Sequence, residues 1–176
     1  MQTKPAFAIW LTGLPASGKS TVAAELKKQL GWRGVDAAVL ESDALRQVLT
    51  PQPRYDEAER EIFYRQMVFI GALLSRHGVP VIFDATANRR AYRDAARREI
   101  PNFLEVYVEC PLELCMARDP KRIYRQGREG SAATVPGLQA VYEPPEAPDV
   151  RVRGDREAPE EATRRILEKL LEKGFL

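Results

Sequence analysis

The sequence has few cysteines, little net charge and no long apolar run. Each of these absences excludes some classes of protein. Cys110 and Cys115 are the only cysteines, and their spacing matches no common zinc or redox motif. We therefore expect two buried thiols in a reducing compartment. A formal net charge of +2 gives no general case for binding nucleic acid or a membrane. No apolar run reaches the length of a membrane-spanning helix and no signal-peptide pattern opens the chain, so we expect a cytoplasmic protein.

The order of apolar and amphipathic segments predicts the fold. With 176 residues, 44% of them hydrophobic and 30% charged, the chain is long enough for one domain, 1–176, with a full core. Five apolar, β-branched runs alternate with longer helical patterns, which predicts an α/β fold with a five-stranded parallel sheet and helices on both faces. The strand runs are 7–12, 36–41, 79–85, 103–109 and 149–153. The helical stretches are roughly 19–30, 43–49, 56–76, 90–98, 111–118 and 158–173.

The stretch GLPASGKST, which follows the first predicted strand, has the spacing of a P-loop (Walker A motif). Its glycines allow backbone amides to turn towards a β-phosphate. Lys19 can reach the β- and γ-phosphates, and the Ser20 hydroxyl can ligate Mg²⁺. The helix that begins here directs the positive end of its dipole at the nucleotide. The sequence thus predicts a P-loop NTPase of the nucleoside-monophosphate-kinase type, with ATP held by Gly13, Leu14, Pro15, Ala16, Ser17, Gly18, Lys19, Ser20 and Thr21.

Two acidic residues follow predicted strands, at the edge where open α/β sheets bind ligands. Asp43 follows the second strand and could take the proton from an attacking hydroxyl, although it or Ser42 could instead cap a helix. Arg46 shares the helical face of Asp43 and could hold an anionic acceptor. Asp84 ends the third strand and could join the Mg²⁺ shell through water. Lys19 and Asp43 are the candidate catalytic residues.

Arginines follow the third predicted strand and also occur on the helix before it. Arg90, Arg93 and Arg97 lie three and four residues apart, so they share one helical face. That face is either a solvated basic surface or one wall of a basic cleft, and its place near the carboxyl edge of the sheet favours the cleft. Arg60 on the preceding helix is open to the same two interpretations.

The segment 118–149 is rich in proline, glycine and arginine and has little periodicity. A loop of this length in a compact domain is usually functional or disordered. We interpret residues 118–142 as a mobile lid that closes over the polyphosphate and excludes water, so that transfer outcompetes hydrolysis. Arg118 could also stack on adenine. The basic residues of the lid segment are Arg118, Lys121, Arg122, Arg125 and Arg128.

Two longer stretches resemble the adenylylsulfate (APS) kinase family, whose members phosphorylate the 3′-hydroxyl of adenosine 5′-phosphosulfate. They are FLEVYVECPLELCMARDPKRIYRQGR (103–128) and YEPPEAPDVRV (142–152), and the resemblance runs through most of the chain. It implies ATP and Mg²⁺ as cofactors, a small-molecule acceptor and a role in sulfate assimilation. It also implies that Asp43, Arg46 and Arg60 face the acceptor and that the P-loop and Arg118 hold ATP. Arg90 and Lys121 are further substrate-binding candidates.

The sequence departs from the pattern of this family at positions that would recognise the acceptor substrate. Glu41-Ser42-Asp43-Ala44 stands where the family usually has Asp-Gly-Asp-Asn. Phe63 replaces an asparagine, and Ala87 replaces a serine that is proposed to be phosphorylated in some members. Val135 replaces the phenylalanine that stacks on the acceptor's adenine.

The acceptor therefore has alternatives. The stretches SDALR and DATANRR are also similar to the acceptor region of polynucleotide 5′-hydroxyl kinases and their small-molecule relatives. An aromatic slot beside Phe63 and Val135 would favour a nucleotide acceptor, and an open basic channel would favour a nucleic-acid end. A non-catalytic nucleotide-dependent regulator is a third class, against which Asp43 and the lid argue. The oligomeric state is open, with a homodimer as one option.

Overall fold

Five parallel strands form one sheet in the order β2-β3-β1-β4-β5 in the computed structural model, which describes residues 5–130 and 134–176. The strands are β1 Ala8–Thr12, β2 Ala38–Glu41, β3 Val81–Asp84, β4 Phe103–Glu109 and β5 Val150–Arg153. Each observed strand lies within its predicted run. The predicted five-stranded parallel sheet is confirmed, with the P-loop strand β1 at its centre.

Helices cover both faces of the sheet, as predicted. They are α1 Lys19–Trp32, α2 Ser42–Leu49, α3 Glu57–Arg76, α4 Arg90–Glu99, α5 Leu112–Arg118, α6 Ile123–Arg128 and α7 Pro159–Glu172. Alternate residues of β1 point to opposite faces, so Ile9 and Leu11 pack with α1 and α7, while Ala8 and Trp10 pack with α3 and α4. Within the described ranges, no helix combines the length and the apolar character needed to cross a membrane.

The lid segment (residues 118–142) contains helix α6, which the sequence analysis did not predict. The carboxylate of Asp119 accepts hydrogen bonds from the backbone amides of Tyr124 and Arg125, at 3.2 and 3.0 Å, and so satisfies two amides at the start of α6. Six residues are too few for the helical period to stand out in a sequence. Residues 131–133 of the predicted lid lie outside the described residues.

A small third core joins the lid segment to the P-loop. Cys110, Cys115, Tyr124 and Val135 are buried together, with Leu14 of the P-loop packed against them. The Tyr124 hydroxyl also donates to the carbonyl of a P-loop residue, Pro15, at 2.9 Å. Both cysteines are free and buried, as the sequence predicts, and burial raises the pKa of the Cys115 thiol to about 12. The start of the lid segment is therefore packed against the nucleotide loop.

The arginine face of α4 does not line the cleft, which corrects the interpretation favoured from the sequence: Arg93 is buried in the fold, and Arg90 and Arg97 pair with carboxylates nearer the surface. Arg93 is only 1% exposed, and its Nε donates to Glu105 Oε1 at 2.7 Å. Its Nη2 donates to the carbonyl of Glu143 at 2.7 Å. Arg97 pairs with Glu105 and Asp149, at 3.3 and 3.2 Å. These side chains tie α4 to β4 and to the segment before β5.

We expect Arg93→Leu to lower the free energy of unfolding by roughly 3–5 kcal/mol, because it leaves Glu105 as a buried carboxylate without its main partner. Urea denaturation measures the change. Arg164→Ala is the matched control, since it breaks an exposed pair with Glu168 that is worth about 0.5 kcal/mol or less. A similar small loss in both variants would contradict a structural role for the Arg93 pair.

Candidate active site

A cleft of about 580 Å³ lies at the carboxyl edge of the sheet, between the P-loop, α2, α3 and the lid segment. Parallel strands end at the same edge, so residues that are distant in sequence meet there. The predicted site residues that line the cleft are Pro15, Ala16, Gly18, Lys19, Ser20, Thr21, Asp43, Arg46, Arg60, Asp84, Arg118 and Lys121. Gly13, Leu14 and Ser17 complete the P-loop but are not part of the lining.

The P-loop holds Lys19 at the floor of this cleft. Gly18 has a φ of 105°, a conformation that side chains disfavour, and α1 begins directly after it. Lys19 is 8% exposed, and its ammonium donates to the carbonyls of Gly13 and Leu14, at 3.1 and 2.8 Å. Burial lowers the pKa of Lys19 to about 8, although the negative charge of Asp84 opposes this shift. A poorly solvated cation in a loop of backbone amides suits a phosphate group.

Gly154, directly after β5, sets the position of the P-loop and was missed by the sequence analysis. A Cβ at this position would overlap the backbone carbonyl of Ser17. The Gly154 carbonyl also accepts a hydrogen bond from Arg118 Nη1 at 2.9 Å. The end of β5, the P-loop and the predicted adenine-stacking arginine therefore meet at one residue without a side chain.

Ser20 and Asp84 have the chemistry expected for Mg²⁺. Asp84 is 5% exposed, and within the described ranges no group donates a hydrogen bond to its carboxylate. Ser20 carries an exposed hydroxyl in the first turn of α1. The described residues contain no group of three or more His, Cys, Asp or Glu that could hold a metal ion by themselves. The pair thus fits a cation that keeps water and phosphate oxygens as its other ligands, as Mg²⁺ does.

The lid segment contacts the predicted base directly. Lys121 Nζ lies 2.6 Å from Asp43 Oδ2 and 3.7 Å from Glu41 Oε1. The hydrogen bond from Lys121 to Asp43 raises the pKa of Lys121, so the ammonium is held in its charged form. Because Asp43 follows β2 and Lys121 follows α5, only the folded chain brings them together.

Two arginines that were predicted to face the acceptor, Arg46 and Arg60, line one wall of the cleft. Arg46 is 8% exposed, and its Nη1 donates to Glu59 Oε1 at 3.2 Å. Arg60 donates from Nη2 to the carbonyl and the hydroxyl of Thr134, at 2.6 and 2.9 Å. Both guanidinium groups line the cleft, so this wall carries positive charge, and Arg60 also links α3 to the lid segment.

Three of the positions where the sequence departs from the family pattern are buried, namely Phe63, Ala87 and Val135. Phe63 is fully buried beneath Arg46, with its ring centroid 3.9 Å from the guanidinium carbon. Ala87 is fully buried, and its amide donates to the Tyr64 hydroxyl at 3.0 Å. Val135 is 2% exposed but reaches the cleft lining.

Tyr55 supplies the aromatic surface of the cleft and was also missed by the sequence analysis. It is 38% exposed, it lines the cleft, and its ring lies 5.1 Å from the Arg46 guanidinium carbon. Its φ is 58°, a left-handed conformation that is strained for a residue with a side chain and that is enriched at functional sites. This positive φ has no local sequence signal, because neither glycine nor asparagine occupies the position.

Some predicted basic residues lie elsewhere. Arg90 pairs with Glu146 and is absent from the cleft lining. Arg122, Arg125 and Arg128 line a separate pocket of about 490 Å³ beside α5 and α6. Of the basic residues in the lid segment, the structure brings Arg118 and Lys121 to the cleft.

Comparison with known proteins identifies the family. The family model described as adenylylsulphate kinase matches residues 5–153. The chain belongs to the adenylylsulphate kinase family. The adenylyl-sulfate kinase of Microcystis aeruginosa is 38% identical over 168 residues, which are 96% of this chain and 93% of that protein. The adenylyl-sulfate kinase of Halothermothrix orenii is 35% identical over 176 residues, 100% of this chain and 95% of that protein.

Solved structures agree with this family. The APS kinase of Mycobacterium tuberculosis, in complex with AMPPNP and APS, has a TM-score of 0.89 and 31% identity, and the match covers 96% of this chain and 99% of that one. A shikimate kinase from Aquifex aeolicus shares the fold at a TM-score of 0.59 and 18% identity, over 96% of this chain and 98% of that one. The predicted P-loop kinase fold and the resemblance to APS kinases are confirmed. The chain is thus an ATP-dependent phosphotransferase with a hydroxyl acceptor.

In this member of the family, we expect Gly154→Ala to weaken AMPPNP binding roughly 10- to 100-fold, because the new Cβ displaces the Ser17 carbonyl and with it the P-loop. Isothermal titration calorimetry measures the dissociation constant. The matched control is Gly31→Ala in α1, where a Cβ meets nothing within 4 Å and affinity should not change. Wild-type affinity in Gly154→Ala would show that the P-loop does not depend on this contact.

Proposed function

We propose that this kinase transfers the γ-phosphoryl group of ATP to the 3′-hydroxyl of adenosine 5′-phosphosulfate, giving 3′-phospho-APS (PAPS). The proposal rests on one observation: a single cleft contains the P-loop lysine Lys19, the carboxylate of Asp43 and the guanidinium groups of Arg46 and Arg60. A phosphate donor, a general base and an anion-binding wall are the parts that phosphoryl transfer to an anionic alcohol needs. The Mycobacterium tuberculosis neighbour, solved with AMPPNP and APS, supports the same donor and acceptor.

The donor side is the P-loop and its surroundings. Lys19 would neutralise the β- and γ-phosphates of ATP, and the backbone amides of the loop would bind their oxygens. Arg118, fixed by the Gly154 carbonyl, would stack on the adenine. Ser20 and Asp84 would hold Mg²⁺, which neutralises phosphate charge when it is bound. Positioning and charge neutralisation then supply most of the rate.

The acceptor side begins at Asp43. Lys121 contacts Oδ2 of its carboxylate, which leaves Oδ1 to accept the proton of the acceptor hydroxyl. Arg46 and Arg60 would bind the phosphosulfate of APS, and the exposed ring of Tyr55 would stack on the adenine of APS. The Lys121–Asp43 contact brings the lid segment over the reacting groups, where it excludes water.

The contacts across the cleft favour a small acceptor over a nucleic-acid end. Lys121 bonds to Asp43 and Thr134 bonds to Arg60, so the lid segment is joined to the acceptor wall at two points. A polynucleotide would need a continuous basic channel at this wall, whereas a nucleotide fits a cleft of about 580 Å³ with an aromatic face. The single-domain organisation, the homodimer and the cytoplasmic location stay predictions.

The direct test supplies ATP, Mg²⁺ and APS to the purified enzyme and measures formation of 3′-phospho-APS. Parallel reactions contain a 5′-hydroxyl oligonucleotide or a non-nucleotide alcohol in place of APS. Of the acceptors tested with ATP and Mg²⁺, we expect only APS to be phosphorylated. Turnover of another acceptor in the absence of turnover with APS would overturn the assignment.

We expect Asp43→Asn to lower kcat roughly 10²- to 10⁴-fold, because the amide cannot accept the proton of the acceptor hydroxyl. The dissociation constant for AMPPNP should stay near the wild-type value, since Asp43 lies on the acceptor side. Steady-state kinetics with APS and calorimetry separate the two effects. Glu41→Gln, which removes the neighbouring negative charge near Lys121, is the comparison variant and should retain most of the rate. Normal transfer by Asp43→Asn would exclude it as the base.

We expect Tyr55→Leu to raise the KM for APS by about tenfold, because base–aromatic stacking contributes on the order of 1–3 kcal/mol. The KM for ATP should not change. Trp32→Leu, at an aromatic residue that is 74% exposed and lies outside the cleft lining, controls for the loss of an exposed ring. An unchanged KM for APS in Tyr55→Leu would show that the acceptor's base binds elsewhere.

A further inference from the structure

Phe63 is buried behind the acceptor wall and does not line the cleft. It is fully buried in the core cluster between the sheet and α3. A buried phenylalanine normally contributes packing alone, but the face of this ring carries the guanidinium group of Arg46, 3.9 Å from the ring centroid. The residue thus touches an acceptor-binding candidate without touching the cleft.

The other contacts of Arg46 make this ring the surface that sets the plane of the guanidinium. Glu59 accepts a hydrogen bond from Nη1 at 3.2 Å, and the Tyr64 side chain also interacts with the guanidinium. Such hydrogen bonds lie at the edge of a guanidinium, whereas the ring of Phe63 lies against its face. Tyr55 lies on the guanidinium at the longer distance of 5.1 Å. Arginine otherwise loses much rotamer entropy when it binds a ligand, and a planar contact restricts that freedom before the ligand arrives.

Phe63 is itself held in place by neighbouring groups. Its ring makes an edge-on contact with Tyr64, at a centroid distance of 5.3 Å and an interplanar angle of 73°, the geometry that aromatic pairs prefer. The Tyr64 hydroxyl accepts a hydrogen bond from the amide of Ala87 at 3.0 Å. The orientation of Arg46 therefore depends on a chain of buried groups that leads back to the end of β3.

We propose that Phe63 is a positioning residue for the acceptor: its ring holds the Arg46 guanidinium in the orientation that binds the acceptor's anionic group. The inference rests on the proposed function, in which Arg46 binds the phosphosulfate. It assigns to Phe63 a contribution to acceptor affinity and none to the donor. Phe63 acts through Arg46 and touches no reacting group.

The experiment compares Phe63→Leu with Phe83→Leu. Phe83 is fully buried in the same core cluster, where its ring stacks on Trp10 at 4.5 Å, and no contact joins it to Arg46 within the described residues. Both variants should lower the midpoint of urea unfolding. Phe63→Leu alone should raise the KM for APS, by about tenfold, with the KM for ATP unchanged and kcat within about threefold of wild type. Equal effects of both variants on the KM for APS would overturn the inference.

Two further variants separate positioning from packing. Phe63→Tyr keeps the ring and should keep the KM for APS within about threefold of wild type. Arg46→Lys keeps the charge but removes the planar group, so adding Phe63→Leu to it should change the KM for APS by about twofold or less. Fully additive effects of Phe63→Leu and Arg46→Lys would overturn the inference. If the wild-type enzyme phosphorylates a different alcohol, the proposed function fails and the KM comparison is made with that alcohol, where an unchanged KM in Phe63→Leu again overturns the role of Phe63.

Discussion

The parallel sheet ends all of its strands at one edge, and every part of the cleft depends on that constraint. β1 leads into the P-loop, β2 into Asp43 and β3 into Asp84. Because β2, β3 and β1 are neighbours in the sheet, these three exits lie side by side and deliver a lysine and two carboxylates to one small volume. The β1–β3 register pairs Leu11 with Asp84, so the carboxylate lies next to the strand that carries the P-loop. An antiparallel arrangement of the same segments would send alternate exits to opposite edges.

The lid segment is part of this arrangement because it is joined to both sides of the cleft. Tyr124 is hydrogen-bonded to the P-loop at Pro15, and Lys121 is hydrogen-bonded to Asp43. The buried cluster around Cys115 and Val135 gives the segment its own apolar anchor. A change in the position of the lid is thus coupled to the nucleotide loop and to the base together, which is what a kinase that excludes water requires.

Buried arginines occur in two settings in this chain, inside the fold and along the wall of the cleft. Arg93 is paired with the buried carboxylate of Glu105 and helps to hold α4 on the sheet. Arg46 and Arg60 are equally buried, yet they line the cleft, and they are held there by the ring of Phe63 and by Thr134. Burial by itself therefore does not separate structural from functional arginines. What separates them is the position of the guanidinium group: Arg93 is enclosed by Glu105 and backbone carbonyls, whereas Arg46, although it is paired with Glu59, and Arg60 both line the cleft.

The five-stranded parallel sheet, the P-loop, the family and the place of Lys19, Asp43 and Asp84 in the cleft could all be predicted from the amino-acid sequence. These follow from local spacing and from the order of segments, because a strand run, a turn motif and the residue directly after a strand are all read within a few positions. The positions of the arginines, the exposure of Tyr55, the contact of Gly154 with the P-loop and the stack of Phe63 on Arg46 could be seen only in the folded chain. Each of these features depends on how whole helices and strands pack against one another, which no short stretch of sequence specifies. An arginine on a helix has the same local sequence pattern whether it pairs with a carboxylate of the sheet or lines a cleft. The packing of the surrounding helices and strands decides between the two.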